Sequence, residues 1–360
     1  MIHEVHGDTC RLGYLKVIAC LATDMEMGTP DYIASILLEI SLSNLKSFEQ
    51  SPGLVKSIAN AVNYVGLASE MDILNGVGAG ETAKIYSFLK SSEPIHKLIK
   101  EGTPTDILTL TQVEQIFFLS ILLRHDFHMT SGVIKWVLEN KSFSRNDAME
   151  SLMETVYPEA LRQALRSAVG RRREALAKRL EIAERFAEDR GRYSSKMEWV
   201  RSRQYAIYRH SLPPRLEWLV DIGILNRVGR GKYSISPAAL TMSRDLTLLC
   251  EGSREKAEEM LFVYVAKTLL GARQPDRTRM IEALLENYNL VQARLHSVNL
   301  DMLKRLTCFS LLEKGYSASP LQLDRAFLNL AIMFPDKVFV KPGKGGTTEI
   351  TRLEVSPYEI

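Results

Sequence analysis

The residues best suited to chemistry in this chain are its arginines and lysines, and the chemistry they suit is the neutralisation of phosphate. Between Leu161 and Lys232 there are 18 Lys/Arg and 8 Asp/Glu, while the whole 360-residue chain has a formal net charge of +3; the remainder therefore stands at −7. A local surplus of this kind can displace the counterions condensed on a nucleic-acid backbone. The candidates fall in five groups: Arg171, Arg172 and Arg173; Arg203 and Arg209; Arg215; Arg227, Arg230 and Lys232; and, far along the chain, Lys341 and Lys344. At helical spacing, Glu174 with Lys178 and Glu181 with Arg185 form i, i+4 pairs, so the free basic surface is smaller than the count.

Other constellations are weaker. His125, Asp126 and His128 lie close together, but a helical zinc pair needs two histidines at i, i+4 and a further ligand. Gly76, Gly78 and Gly80 precede Glu81-Thr82, where a phosphate loop would need a lysine before the threonine, so a hairpin tip is the better reading. The run PGKGGTT from Pro342 joins two β-rich stretches instead of a strand and a helix. Glu349 and Glu354 lack the partners a metal-dependent nuclease requires. No nucleophile, zinc or Walker motif is present, so no catalytic residue, metal, cofactor or small-molecule substrate is expected. Cys10, Cys20, Cys250 and Cys308 are scattered, which reads as thiols in a reducing cytoplasm. Neither a signal peptide nor an apolar stretch of membrane-spanning length is visible.

The element that must position the central cations runs from Ser211 to Pro237, SLPPRLEWLVDIGILNRVGRGKYSISP. Ser211 can cap a helix whose first turn takes Pro213 and Pro214. Leu216, Leu219, Val220 and Gly223 form its inner stripe, leaving Arg215, Glu217, Trp218 and Asp221 for the outer face. Gly223 ends the helix, and a hairpin follows with Gly229-Arg230-Gly231 at its tip and Tyr233 and Ile235 on the return strand. This Pro-led helix and basic hairpin resemble the third helix and wing of the winged-helix superfamily. The resemblance implies a nucleic-acid or protein partner, in settings such as bacterial restriction, phage defence or DNA maintenance. Carboxylates at Glu217 and Asp221 argue against base reading by the helix, so double-stranded DNA would be held mainly through its phosphates. The alternative is a protein scaffold or homo-oligomer in which Trp218 docks another subunit or a partner ATPase.

The same order, a Ser-Pro start, an apolar helix, then a glycine-containing hairpin, is expected near residues 51 and 320 as well. In the first, Leu54, Ile58, Val62 and Val65 face inward and Gly66 ends the helix; in the last, Leu323, Phe327, Leu328 and Ala331 do so. A linker is expected over 93–109, a capping box at Thr111 and Glu114, a new helix at Thr130-Ser131, and a cap at Ser144 with Asp147. From Pro158 a basic helix follows, kinked or divided at Gly170, with Leu176, Leu180, Ala183 and Ala187 on one face; Tyr193, Trp199, Tyr205 and Tyr208 beyond it read as core. The expected fold is mainly α with short β-hairpins, in tandem winged-helix-like units joined by helical segments: residues 1–103, 104–250 and 251–360.

Overall fold

In the computed structural model, residues 1–2, 5–24, 29–43, 54–76, 78–90, 108–295, 297–343, 346–356 and 359 are described. The fold is mainly α with a few small antiparallel sheets of two or three strands. The linker expected at 93–109 lies almost wholly outside the described residues.

The first part holds α1 (Leu12–Asp24), α2 (Pro30–Ser43), α3 (Ile58–Glu70), the hairpin β1 (Leu74–Asn75) and β2 (Gly78–Ala79), and α4 (Glu81–Leu89). The glycine run is thus the hairpin tip it was read to be, with a helix directly after it. The expected Ser51-Pro52 start lies outside the described residues; Ser57 caps α3, and the inner stripe is Ala61, Tyr64, Val65 and Ala68, whereas Ile58 and Val62 are exposed. Gly66 lies inside the helix rather than at its end.

Next comes α5 (Gln112–Asn140), the central helix, apolar around most of its girth and buried along its length as such a pattern requires. Thr111 and Glu114 form the expected capping box. The helix runs through Thr130-Ser131 without a new start; its break is at Asp126 (φ −134°, ψ 31°). Strand β3 (Ser142–Ser144) follows, then α6 (Arg145–Glu154), whose cap is the expected Ser144–Asp147 box.

The basic segment is divided before Gly170 into α7 (Val156–Ser167) and α8 (Gly170–Glu184), followed by the short α9 (Phe186–Gly191), α10 (Lys196–Arg201) and α11 (Arg203–Tyr208). Trp199, Tyr205 and Tyr208 pack with Phe186 as a buried aromatic cluster, with ring centroids 4.9–5.9 Å apart. Leu176 and Ala183 face inward, whereas Ala187 is exposed.

Then come α12 (Pro213–Asp221), β4 (Leu225–Gly229) and β5 (Lys232–Ile235). Both prolines stand in the first turn of α12, but Leu212 is the cap residue, and the Ser211 carbonyl accepts from Arg215 instead. Gly223 has φ +77°, a left-handed turn costly for other residues, and this reverses the chain into β4. Strand β3, invisible as a strand in the sequence, pairs with β5 and gives a sheet of order β3-β5-β4.

Helices α13 (Pro237–Thr241), α14 (Ser243–Glu251) and α15 (Arg254–Met260) continue through a π-helical turn (Leu261–Ala266) into α16 (Lys267–Leu270). The last part is α17 (Arg277–Gln292), β6 (Val298–Asn299), α18 (Leu300–Glu313), α19 (Pro320–Met333), β7 (Val338–Pro342) and β8 (Thr348–Leu353), with sheet order β6-β8-β7. Helix, strand, helix, helix, strand, strand therefore occurs twice with the same sheet order; in the central copy, α7–α11 are inserted between its second and third helices. Leu328 of α19, expected inward, is exposed, while Leu323, Ala326, Phe327 and Leu330 are buried. One contiguous apolar core joins all three parts.

Candidate nucleic-acid interface

The outer face of α12 is the first place to look for a nucleic-acid contact, and it is already occupied. Arg215, Trp218 and Asp221 recur every three residues, and each binds the segment that leads into α1. The Arg215 Nη2 donates to the Ile2 carbonyl at 3.0 Å, and the Trp218 Nε1 donates to the Thr9 carbonyl at 2.7 Å. Asp221 accepts from the Leu12 N–H at 2.7 Å and from Arg11 Nε at 3.0 Å. Two expectations are corrected here. Arg215 is 4% exposed and ion-paired with Asp126 at 2.6 Å, so it meets no phosphate; Trp218 is 1% exposed, so it offers no docking epitope.

Glu217, the remaining polar residue of α12, is buried where α6, α12 and the hairpin meet. Its carboxylate accepts from Arg145 Nη2 at 3.3 Å, from the Tyr233 hydroxyl at 2.5 Å and from Arg227. Burial, then the Glu217 charge, pushes the Tyr233 hydroxyl well above the ordinary phenol range. Arg227 is thus a hairpin brace holding a buried carboxylate, not a free cation as its sequence position suggested.

The structure separates the other candidate cations. At the hairpin tip, Arg230 and Lys232 are exposed. The Arg145 N–H donates to the Gly231 carbonyl at 2.7 Å, so this tip abuts the start of α6. Arg203 and Arg209 are exposed on and after α11. These four, like Arg171 and Arg173, have no side-chain ion pair among the described residues. Arg171, Arg172 and Arg173 stand apart on the first turn of α8, and Arg172 donates to the Met1 carbonyl at 3.1 Å. Lys341 is exposed on β7 and paired with Glu349 at 3.3 Å; Lys344 lies outside the described residues.

Between the leading segment, α6 and α11 is a cleft of about 590 Å³ whose residues the sequence reading missed, apart from Arg209. Asp8 lies on one side, held by the amides of Asn60 and Asn63, the latter at 3.1 Å. Arg145, Asn146 and Arg209 line it from α6 and α11, and Nε of Arg145 is buried with no hydrogen-bond partner among the described residues. The Gly7 N–H donates to His210 Nδ1 at 2.8 Å, so the neutral ring carries its proton on Nε2. Burial, followed by the charge of Arg209, holds the His210 imidazole below its ordinary range and so favours that neutral form. A Cβ at position 7 would stand 2.9 Å from the same His210 nitrogen, so a larger residue there would have to displace the ring. These residues are far apart in sequence and none is in a periodic pattern, so nothing in the sequence draws them together.

His125, Asp126 and His128 lie on α5 around its break, not in a loop. Asp126 is fully buried and gives one carboxylate oxygen to Arg215 and the other to the Ile2 N–H at 3.0 Å. Burial and then Arg124 push the His125 imidazole down to about 3, which keeps it neutral. Among the described residues, no group of three or more His, Cys, Asp or Glu is arranged to hold a metal ion, and no helix is long and apolar enough to cross a membrane. The chain matches no family model, no curated protein and no solved structure.

Proposed function

We propose that the chain is a non-catalytic binder of double-stranded DNA that grips the duplex mainly through its phosphates. The observation that carries this reading is the set of exposed cations with no ion pair among the described residues, at the hairpin tip and on and after α11: Arg230, Lys232, Arg203 and Arg209. Phosphate contacts from such residues fix register without reading sequence. The occupied face of α12 favours the same conclusion, since the side chains of Arg215, Glu217, Trp218 and Asp221 are buried and out of reach of base edges. Two sheets of order first-third-second strand, each reached through helix, strand, helix, helix, support a winged-helix reading of both units.

The test is fluorescence anisotropy of a labelled 30-base-pair duplex across a salt series. Each phosphate contact contributes roughly 0.9 to the slope of log K against log salt, so Arg230→Ala with Lys232→Ala should lower it by about 2. Arg227 is left intact in this test, because its loss would take from the buried Glu217 the cation bound to its second carboxylate oxygen. No binding by the wild-type chain at low salt, or an unchanged slope in the double variant, sinks the proposal.

A second reading, a protein scaffold, rests on α19. Leu321, Leu328 and Ile332, at i, i+7 and i+11, are exposed along one face, and Phe339 and Val340 of β7 are exposed too. Leu328→Glu with Ile332→Glu should leave stability unchanged and abolish association of the chain with itself or a protein partner, read by analytical ultracentrifugation of the mixture.

A further inference from the structure

We propose that the cleft between the leading segment, α6 and α11 binds a small phosphomonoester whose organic body carries hydrogen-bond donors, either a sugar phosphate or a nucleotide. The inference goes beyond the DNA reading and does not depend on it, since a cleft of about 590 Å³ admits a metabolite and not a duplex.

The anion-binding side is built from α6 and α11. Arg145 spends Nη2 on Glu217 and Tyr233, and on this half-exposed side chain Nη1 has no hydrogen-bond partner among the described residues and is left to donate. Arg209 has no ion pair among the described residues. A phosphate between them would receive charge-assisted hydrogen bonds from two guanidinium groups, whose forked geometry suits it. Asn146, in the first turn of the ten-residue α6, adds an amide where the helix end is electropositive. His210, with Nδ1 committed to Gly7, has its Nε2–H left to donate.

The opposite side excludes a bare anion as the intended ligand. Asp8 takes three contacts from the Asn60 and Asn63 amides, against about four acceptor directions on an ionised carboxylate. What it can still accept is a donor, a hydroxyl or amino group, and a simple dianion brought near it would be repelled. Val200, Tyr205 and Pro213 supply the apolar wall such a body needs. Two arginines at one end and one carboxylate at the other thus match a ligand with a phosphate head and a donor-bearing body. Because the Arg145 N–H is bonded to Gly231, the occupied cleft would also be in contact with the hairpin tip.

The experiment is isothermal titration calorimetry of the full chain, without DNA, against inorganic phosphate, ribose 5-phosphate and AMP. At least one ester should bind at least tenfold more tightly than inorganic phosphate. Binding of both esters alike identifies the sugar phosphate as the recognised part, and binding of AMP alone identifies the nucleotide. Arg209→Ala should weaken the bound ester at least tenfold, with Arg209→Lys recovering part of the loss. Asn146→Ala is a second variant, at a half-buried position in the first turn of α6 that makes no side-chain hydrogen bond among the described residues, and should weaken binding severalfold without unfolding the chain. The proposal is overturned if neither ester binds better than inorganic phosphate, or if Arg209→Ala and Asn146→Ala bind the ester as the wild type does. The duplex titration above is separate, so either proposal can fail alone.

Discussion

Arg215→Ala should cost this protein its fold stability and leave phosphate contacts untouched, the reverse of what the residue's place on a basic, Pro-led helix suggests. The guanidinium is 4% exposed and its partner Asp126 is fully buried. It donates to Asp126 at 2.6 Å, to the Ile2 carbonyl at 3.0 Å and to the Ser211 carbonyl. Truncation leaves the Asp126 carboxylate in the core with the Ile2 N–H as its one hydrogen bond among the described residues, and breaking a buried pair from one side costs about 3–5 kcal/mol. The variant would also leave two buried carbonyls unpaired. Urea denaturation followed by tryptophan fluorescence is the assay: of the three tryptophans, Trp218 has its ring 5.7 Å from the Arg215 guanidinium. With an urea slope of about 3 kcal/mol/M or more for a chain of this size, the midpoint should fall by roughly 1 M or somewhat more. Arg215→Met combined with Asp126→Asn removes both charges together and should recover about half of the loss or more. A wild-type midpoint for Arg215→Ala refutes the argument. So would a reduced salt slope for DNA in the folded variant, since the residue would then be reaching phosphate.

Two further predictions concern buried carboxylates. Burial pushes the Asp221 carboxyl up to about 6, against the pull of Arg11 and the Leu12 N–H. Its folded value stands above the unfolded one near 3.9, so the folded state holds the extra proton and stability should fall as pH rises from about 4 to 6. Asp221→Asn should flatten that part of the stability–pH curve, and an identical curve for variant and wild type would show that the carboxyl is not raised. Thr111→Ala removes one half of the α5 capping box while Glu114 keeps its bonds to Tyr86, at 2.6 Å, and to Lys16, at 3.5 Å. The expected loss is about 1 kcal/mol in thermal or urea unfolding, with no change in fold by circular dichroism.

What the sequence determined by itself is the local grammar. The capping boxes at Thr111, Ser144 and Ser319 are each written within four residues, because a hydroxyl that accepts from the N–H three residues on needs nothing else. The basic hairpin after α12, its left-handed Gly223 and the division of the basic segment before Gly170 were legible for the same reason. Only the tertiary structure decided which polar residues remain available. The leading segment passes across α12, and this one placement turns Arg215, Trp218 and Asp221 from candidate contacts into core bonds. The buried Glu217 likewise takes Arg227 out of the basic surface. Strands β3 and β6 were not visible because each is two or three residues long and exists through its partner strand. The cleft of Asp8, Arg145 and Arg209 was hidden for the most general reason: its members are scattered along the chain from residue 8 to residue 209, and a site closed by long-range packing leaves no period in the chain.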